Sequence, residues 1–255
     1  MSEPVPILVA HRGYPARFPE NTLVGITAAV AAGACYVEFD VQLSKDGVPV
    51  LLHDQDLVRT AGTDVSVYEK TVAQLKKYSV GEAARFDDRF KEVKIPALYE
   101  AVEFLQDNPG VQAFVEIKRG SLQRFGHEKV MDVVWQAVLP VRDQVVIISF
   151  DSGAVEATQR RGICRTGWAI RSMDRRSQQQ AVRLAPDFLF FSQRLLPPPE
   201  QELWPASWQW VIYAINDPEQ ALQLTRRGIN LVETDAIGEM LAHTLLGQKK
   251  CHHDK

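Results

Sequence analysis

Short apolar runs alternate along most of the chain with longer segments in which apolar residues recur at helical spacing. This alternation is typical of βαβ units, which build a parallel sheet. The predicted strands are residues 7–10, 35–42, 48–53, 111–118, 145–149, 164–170, 188–192, 211–215 and 231–233. The predicted helices are residues 22–32, 97–106, 126–138, 152–160, 175–184, 218–226 and 238–245. Setting aside one hairpin strand, the strand count is about eight, which favours a closed (β/α)8 barrel over an open sheet.

The early part of the chain departs from simple alternation. Lys45-Asp46-Gly47 lies between two alternating strands and predicts a β-hairpin there. Residues 54–96 follow, with glycines, many charges and scattered apolar positions. This segment is too long for an ordinary loop and too weakly patterned for a core of its own. We therefore predict a single barrel domain over residues 1–255, with a small insertion at about 54–96.

Composition limits the classes of partner. Of the 255 residues, 45% are hydrophobic and 24% are charged, which is ordinary globular usage and excludes a disordered chain or a coiled coil. The formal net charge is -3 and no block of basic residues stands out, so the sequence predicts no nucleic-acid partner. No apolar run reaches the roughly 18 residues needed to cross a bilayer, so we expect no integral membrane association. Composition leaves the oligomeric state open.

Cysteine usage and the two ends of the sequence bear on location. The three cysteines have neither metal-site nor redox-motif spacing, which fits a reducing compartment. The first residues lack the basic start and apolar run of a secretion signal. Together these features predict a cytoplasmic protein. We assign no role to the polar tail at 249–255, because terminal polar residues without a scaffold are usually frayed chain.

Two histidines follow predicted strands. In a barrel, catalytic groups lie where strands end and their following loops begin. His11 and Arg12 come directly after strand 7–10, and His53 closes strand 48–53. Together with basic residues and the metal site predicted below, a pair of imidazoles suits acid–base cleavage of a phosphate ester. One imidazole assists the attacking oxygen, and the other imidazole protonates the leaving alcohol.

Three carboxylates are predicted to converge at the same end of the barrel. Side chains alternate along a strand, so Glu38 and Asp40 share one face, and Glu116 shares a face with Lys118. Unpaired buried anions are costly, so a cation is expected between them. Oxygen-only ligands favour Mg²⁺ or Ca²⁺, since zinc normally recruits cysteine or histidine. Lys118 could form a simple ion pair with Glu116, or join Arg12 in an anion pocket.

Short sequence blocks surround these residues in a fixed order. They are His11-Arg12-Gly13, Pro19-Glu20-Asn21-Thr22, Val37-Glu38-Phe39-Asp40-Val41, Ser44-Lys45-Asp46-Gly47, His53-Asp54, Arg59-Thr60, Ile95-Pro96-Ala97-Leu98, Glu116-Ile117-Lys118, Ser149-Phe150 and Thr234-Asp235. In this order the blocks resemble those of the glycerophosphodiester phosphodiesterase family. The resemblance spans nearly the whole chain.

The resemblance implies an α/β protein with a (β/α)8 TIM barrel and a small insertion after the second catalytic histidine. It also implies metal-dependent hydrolysis of a small glycerophosphodiester to sn-glycerol 3-phosphate and an alcohol. The implied roles are acid–base catalysis by His11 and His53, binding of one divalent cation, Mg²⁺ or Ca²⁺, by Glu38, Asp40 and Glu116, and phosphate binding by Arg12 and Lys118. Water and a glycerol hydroxyl both remain possible nucleophiles, and either histidine could be the acid.

One block departs from the family's pattern. Tyr213-Ala214-Ile215-Asn216 stands where the family often has Trp-Thr-x-Asn. With Phe150, Tyr213 could form an aromatic pocket wall beside the alcohol, although plain barrel packing is an equal alternative. The departure leaves the preference for the head-group alcohol open.

Two other functions are compatible with the sequence. A lysophospholipase D-like enzyme would cleave the same bond in lipids that keep an acyl chain, and it would need an exposed apolar groove. Tyr14, Phe18 and residues 204–210 could supply one. A non-catalytic phosphodiester-binding module is the other alternative, but His11 and His53 speak against it, because binding alone requires no paired acid and base.

Overall fold

The computed structural model describes residues 4–205 and 207–249, and nine of its eleven strands there lie close to their predicted positions, whereas β4 and β5, inside the predicted insertion, were not predicted. They are β1 (Ile7–Ala10), β2 (Tyr36–Leu43), β3 (Pro49–Leu51), β4 (Asp56–Leu57), β5 (Thr63–Ser66), β6 (Gln112–Ile117), β7 (Val145–Ser149), β8 (Arg165–Ala169), β9 (Phe188–Ser192), β10 (Gln209–Tyr213) and β11 (Leu231–Thr234). The α-helices are α1 (Leu23–Ala31), α2 (Val58–Ala61), α3 (Val72–Leu75), α4 (Ala83–Phe86), α5 (Leu98–Asp107), α6 (Arg119–Phe125), α7 (His127–Val138), α8 (Ser152–Arg161), α9 (Arg175–Leu184), α10 (Pro218–Arg226) and α11 (Ile237–Ala242).

Eight parallel strands close into a barrel. They are hydrogen-bonded in the order β1, β2, β6, β7, β8, β9, β10 and β11, and β1 closes the ring by pairing with both β2 and β11. The register sets Val9 opposite Tyr36 on one side and opposite Glu233 on the other. The predicted (β/α)8 barrel is confirmed. No helix within the described ranges is both long and apolar enough to cross a bilayer.

Alternation along the strands separates two apolar layers. Val37, Phe39 and Val41 point outward and pack in the layer beneath the helices. A second cluster, which includes Phe114 and Phe190, fills the interior of the barrel. Because β2 turns its apolar residues outward, its acidic residues face the interior. Burying one phenylalanine side chain contributes about 1.5–3 kcal/mol to folding, so the outward set of β2 also fixes where its acids point.

Side-chain caps start several helices directly after the strands. The Thr22 side chain accepts a hydrogen bond from the Gly25 N–H at the start of α1. Asp217 accepts one from Gln220 N–H, and Pro218 occupies the first helical position of α10. Each such cap contributes roughly 0.5–2 kcal/mol. The caps fix where each helix begins and so hold the loops that carry the site.

The connection from β9 to β10 contains no α-helix among residues 193–205 and 207–208. Its loop instead buries two indole rings against Trp210, with ring centroids 5.7 Å away for Trp204 and 5.9 Å away for Trp208. These rings cover the outer face of the barrel where a crossover helix would otherwise pack.

The insertion has a small core, contrary to the prediction. β2 and β3 form the expected antiparallel hairpin, and β4 and β5 pair in a separate ribbon. Six buried apolar residues of the insertion pack together with Val50 and Leu52 of the preceding segment: Leu57, Val67, Tyr68, Leu75, Val80 and Ile95. The prediction was wrong because these residues come from several short elements, so no single periodicity marks them.

Candidate active site

The predicted metal ligands converge from two neighbouring strands of the barrel. Glu38 and Asp40 lie on β2 and Glu116 lies on β6, where Asp40 and Glu116 are register partners. One carboxylate oxygen from each residue lies within 4.8 Å of the others. Glu38 is 2% exposed and Asp40 is 1% exposed. Three oxygen donors this close could hold a hard divalent cation.

Mutual repulsion makes the carboxylate cluster electrostatically strained without a cation. Burial, followed by the charges of Asp40 and Glu233, raises the pKa of Glu38 well above its usual range. Burial also raises the pKa of Glu116, although Lys118 opposes the shift. For Asp40, burial is outweighed by Lys118 and Arg12, which hold its pKa below the usual range. A bound cation would relieve the repulsion, so these residues fit a Mg²⁺ or Ca²⁺ ion.

Two basic residues contact the same carboxylates. Lys118 Nζ lies 3.1 Å from Asp40 Oδ1 and 2.8 Å from Glu116 Oε1. The Arg12 backbone N–H donates to Glu38 Oε2 at 2.9 Å. Arg12 Nε lies 3.2 Å from Asp40 Oδ2, yet this buried nitrogen has no partner with hydrogen-bond geometry. Both cations predicted to bind phosphate therefore lie against the metal-ligand cluster.

Asn21 aligns Asp40 through two reciprocal hydrogen bonds. Its side-chain Nδ2 donates to Asp40 Oδ2 at 2.9 Å, and its Oδ1 accepts from the Asp40 N–H at 2.9 Å. Asn21 and Arg12 both adopt left-handed backbone conformations, with φ of 52° each. Asparagine tolerates this region better than most residues do, so its presence in the Pro-Glu-Asn-Thr block has a structural reason.

Glu20 links the first loop of the barrel to the insertion. Its carboxylate accepts hydrogen bonds from Arg12 Nη1 at 3.1 Å and from Arg59 Nη2 at 2.8 Å. Arg59 in turn donates from Nε to Asp54 Oδ2 at 2.8 Å. The Glu20 backbone N–H donates to the carboxylate of Glu82 at 2.6 Å. This chain of contacts, which we call the Glu20 network, joins the first loop to the insertion.

Each predicted catalytic histidine is paired with an aspartate. His11 Nδ1 lies 2.7 Å from Asp235 Oδ1, and His53 Nδ1 lies 2.7 Å from Asp54 Oδ1. A carboxylate at Nδ1 fixes the orientation of the ring and leaves Nε2 for the reacting group. Burial alone would lower the pKa of His11, but the hydrogen bond to Asp235 and the charge of Glu233 raise it.

Asp54 and Asp235 are candidate site residues that the sequence interpretation left without a role. Asp235 is further held by Asn216, whose Oδ1 accepts from the Asp235 N–H at 2.9 Å. Their positions in the His53-Asp54 and Thr234-Asp235 blocks are the sequence feature that could have identified them. The sequence did not show which side chain Asp235 meets, because His11 lies 224 residues away.

Glu233 is a fourth interior acid that the sequence interpretation missed. It lies on β11, is 3% exposed, and its Oε1 has no hydrogen-bond partner. Burial raises the pKa of Glu233 to about 7, and the positive charge of His11 limits the rise. Since Leu231 faces the barrel interior, alternation puts Glu233 on the same face, which was the available signal.

We expect Glu233→Gln to make the cation-free protein less sensitive to alkaline pH. The folded-state pKa near 7 exceeds the usual 4.5, so the folded state binds more protons than the unfolded chain between these values, and stability falls as pH rises through this window. Glutamine removes that loss, which is about 3 kcal/mol for the full shift and about 2 kcal/mol between pH 5.5 and pH 8. Urea unfolding at pH 5.5 and pH 8 measures the effect. Exposed Glu103→Gln is the control, and equal pH sensitivity of all three proteins would contradict the expectation.

A cavity of about 750 Å³ opens beside the carboxylate cluster. Its walls are Gln42, His53, Asp54, Gln55, Asp56, Val58, Arg59, Glu116, Lys118, Arg119, Gly120, Phe150 and Arg171. Four of the predicted site residues are therefore on the wall: His53, Glu116, Lys118 and Phe150. The other five do not line it: His11, Arg12, Glu38, Asp40 and Tyr213. Glu116 lines the cavity and belongs to the carboxylate cluster, and Lys118 lines the cavity and contacts Asp40. The cavity therefore adjoins the site residues that do not line it.

The two predicted wall aromatics have different surroundings. The Phe150 ring faces the guanidinium of Arg171, whose central carbon lies 5.4 Å from the ring centroid. Tyr213 lies at the end of β10, and burial, followed by the charges of Glu233 and Glu116, raises its pKa to about 12. Tyr213 is thus a neutral phenol among charged neighbours.

The aromatic residues considered for an exposed lipid groove do not form one. Tyr14 is buried, and its hydroxyl donates to Glu239 Oε2 at 2.5 Å. Trp204, Trp208 and Trp210 are all buried. Phe18 is half-buried and packs against the Tyr14 ring, with centroids 5.7 Å apart. These residues serve packing in the helical layer.

The chain is similar to a known enzyme family and to several of its members. The profile of the glycerophosphoryl diester phosphodiesterase family matches residues 11–239. A glycerophosphodiester phosphodiesterase of Caldanaerobacter subterraneus is 34% identical over 146 residues, which cover 57% of this chain and 58% of that protein. Human glycerophosphodiester phosphodiesterase 1 is 38% identical over 111 residues, covering 43% of this chain and 33% of that protein. The matched segments thus span less than two thirds of these relatives.

Solved structures share the fold over nearly the whole chain. An Oleispira antarctica phosphodiesterase, in complex with the product sn-glycerol-3-phosphate, superposes with a TM-score of 0.81 at 25% identity and covers 93% of this chain and 96% of its own. A glycerophosphodiester phosphodiesterase from Thermotoga maritima gives a TM-score of 0.70 at 26% identity, over 95% of this chain and 99% of its own.

Proposed function

We propose, because this chain belongs to the glycerophosphoryl diester phosphodiesterase family, that it hydrolyses glycerophosphodiesters to sn-glycerol 3-phosphate and an alcohol. One observation carries the proposal. Two carboxylate-oriented histidines, His11 and His53, accompany a compact acidic cluster and two cations, Arg12 and Lys118. Cleavage of a phosphodiester requires proton transfer and stabilisation of a highly charged transition state, and this set of groups offers both.

The histidines supply proton transfer. With Nδ1 bonded to aspartate, each ring presents Nε2 to the reacting oxygens. One imidazole takes the proton from the attacking oxygen, and the other gives a proton to the leaving alcohol. Asp54 and Asp235 hold the rings in place and stabilise the charged imidazolium forms.

Arg12 and Lys118 bind the phosphate, and the acidic cluster would contribute through the cation that it holds. Lys118 lines the cavity, and Arg12 has a buried Nε with no hydrogen-bond partner. Arg12 and Lys118 both contact Asp40, so their positive charges would stabilise a phosphate bound beside the carboxylate cluster. A Mg²⁺ or Ca²⁺ ion held by Glu38, Asp40 and Glu116 would add neutralisation of phosphate charge.

Release of sn-glycerol 3-phosphate from glycerophosphoethanolamine tests the proposal. The purified chain is treated with EDTA, and Mg²⁺ or Ca²⁺ is then restored in separate samples. We expect release to stop with EDTA and to return with one of the cations. Cleavage that is indifferent to EDTA would contradict the metal-dependent mechanism. If neither glycerophosphoethanolamine nor glycerophosphoserine is cleaved under either cation, the hydrolysis itself is contradicted.

A further inference from the structure

Two arginines on the cavity wall have no acidic partner. Arg119 and Arg171 both line the cavity, and within residues 4–205 and 207–249 neither forms an ion pair or a hydrogen bond with a carboxylate. Other cations of the wall are engaged: Arg59 bonds Glu20 and Asp54, and Lys118 bonds Asp40 and Glu116. Arg171 is exposed and Arg119 is half-buried, so both guanidinium groups are accessible to an anionic ligand in the cavity.

The acids of the same wall do not cancel this charge. Asp54 pairs with His53 and Arg59, and Glu116 pairs with Lys118. Asp56 is the remaining carboxylate of the wall, and its Oδ1 accepts a hydrogen bond from the Val58 N–H at 3.0 Å. After this pairing, two unpaired arginines face one carboxylate, so the wall keeps an excess of positive charge.

Arg171 occupies the aromatic surface that a cationic head group would use. Its guanidinium lies 5.4 Å from the centroid of Phe150. A quaternary ammonium such as choline binds best on an open aromatic face, and here that face already carries a positive charge. An arginine stacked on a ring still presents its N–H fork to a carboxylate or phosphate in the plane of the guanidinium.

Arg119 brings the second charge close to the reacting groups. It is the first residue of α6 and follows Lys118, which contacts Asp40 and Glu116. Arg119 and Arg171 line one cavity with His53 and Lys118, so an alcohol extending from the scissile phosphate into this cavity meets their wall.

We propose that the preferred substrates carry a second anionic group, a carboxylate or a phosphate, on the leaving alcohol, and that Arg171 and Arg119 bind this group. The inference rests on the proposed phosphodiesterase activity. It assigns the specificity of that site: neutral and purely cationic head groups such as choline are poor substrates.

Matched substrate pairs test the proposal with the full chain and its activating cation. Glycerophosphoserine and glycerophosphoethanolamine differ only by a carboxylate, and glycerophosphoinositol 4-phosphate and glycerophosphoinositol differ only by a phosphate. We expect kcat/KM to be about tenfold higher for the anionic member of one or both pairs, as for a charge-assisted hydrogen bond. The pair with the larger ratio identifies the anion. The ratio should also fall as ionic strength rises.

Substitution identifies the residues responsible. Arg171→Gln and Arg119→Gln should each reduce the ratio between paired substrates several-fold. Arg175→Gln, at an exposed position in the first turn of α9 and away from the cavity wall, should keep it. Equal kcat/KM within both pairs, or ratios unaffected by both cavity substitutions, would overturn the proposal.

Binding separates this inference from the proposed function. If no substrate is cleaved, calorimetric titration of the unmodified protein with the same pairs still reports the anion site. Tighter binding of the anionic members, weakened by Arg171→Gln, would support the site while the hydrolytic function fails. Equal affinities within both pairs would overturn the site.

Discussion

His53→Ala should lower kcat for the release of sn-glycerol 3-phosphate by about 10²–10⁴-fold, the usual contribution of a general acid or base. The substitution removes the imidazole from the cavity wall while Asp54 keeps its bonds to Arg59. Because the imidazole ring is half-exposed, its removal leaves few buried polar groups without a hydrogen-bond partner. We therefore expect folding to be preserved, and circular dichroism and the melting temperature check this.

The chain offers a matched control for this experiment. His127 also contacts an aspartate, with Nε2 3.0 Å from Asp151 Oδ1, but it is exposed and lies outside the cavity. His127→Ala should leave kcat unchanged. The pH profile provides a second readout, since His53→Ala should abolish one limb of the profile for kcat. A kcat within fivefold of the unmodified enzyme would exclude His53 from acid–base catalysis.

Glu38→Gln should abolish the stabilisation that the activating cation gives to the folded protein. At a cation concentration of 100 times Kd, binding stabilises a protein by about 2.7 kcal/mol. For a chain of this size that corresponds to a rise in Tm of roughly 5–10 °C. The substitution leaves two of the three carboxylates, which are too few to hold the cation. We therefore expect a large reduction in both the cation-dependent rise in Tm and kcat.

The same variant has an opposite effect without the cation. Burial, followed by repulsion from Asp40 and Glu233, raises the pKa of Glu38, so the neutral amide relieves strain in the EDTA-treated protein. We expect the cation-free variant to melt above the unmodified protein at pH 8. Exposed Glu128→Gln is the control and should keep the cation-dependent shift. A full shift in Glu38→Gln, measured by calorimetry with Mg²⁺ and Ca²⁺, would place the cation elsewhere.

The sequence predicted the features that repeat locally. Alternation on β2 set Glu38 and Asp40 on one face and Val37 and Phe39 on the other, as the structure shows. Barrel closure was predicted from the count of about eight strands alternating with helices, and the structure confirms it. These predictions succeed because side-chain direction depends only on the period of a strand.

Features that depend on distant residues were not predicted. The pairs His11 with Asp235 and Phe150 with Arg171 arise only when the barrel closes. The helix α6 was missed because Arg119–Phe125 contains few apolar residues. The core of the insertion was missed for a related reason, since each of its short elements contributes only one or two apolar side chains.

The Glu20 network has a consequence for protein engineering and for the history of such enzymes. Glu20 touches both Arg12 and Arg59, and its backbone is held by Glu82. If the insertion at 54–96 were replaced by that of a relative, the new segment would supply one partner of the ionic contact between Arg59 and Glu20, and the recipient barrel would supply the other. We expect grafted and naturally recombined enzymes to function only when the first loop and the insertion come from the same parent. The two segments would then be inherited together.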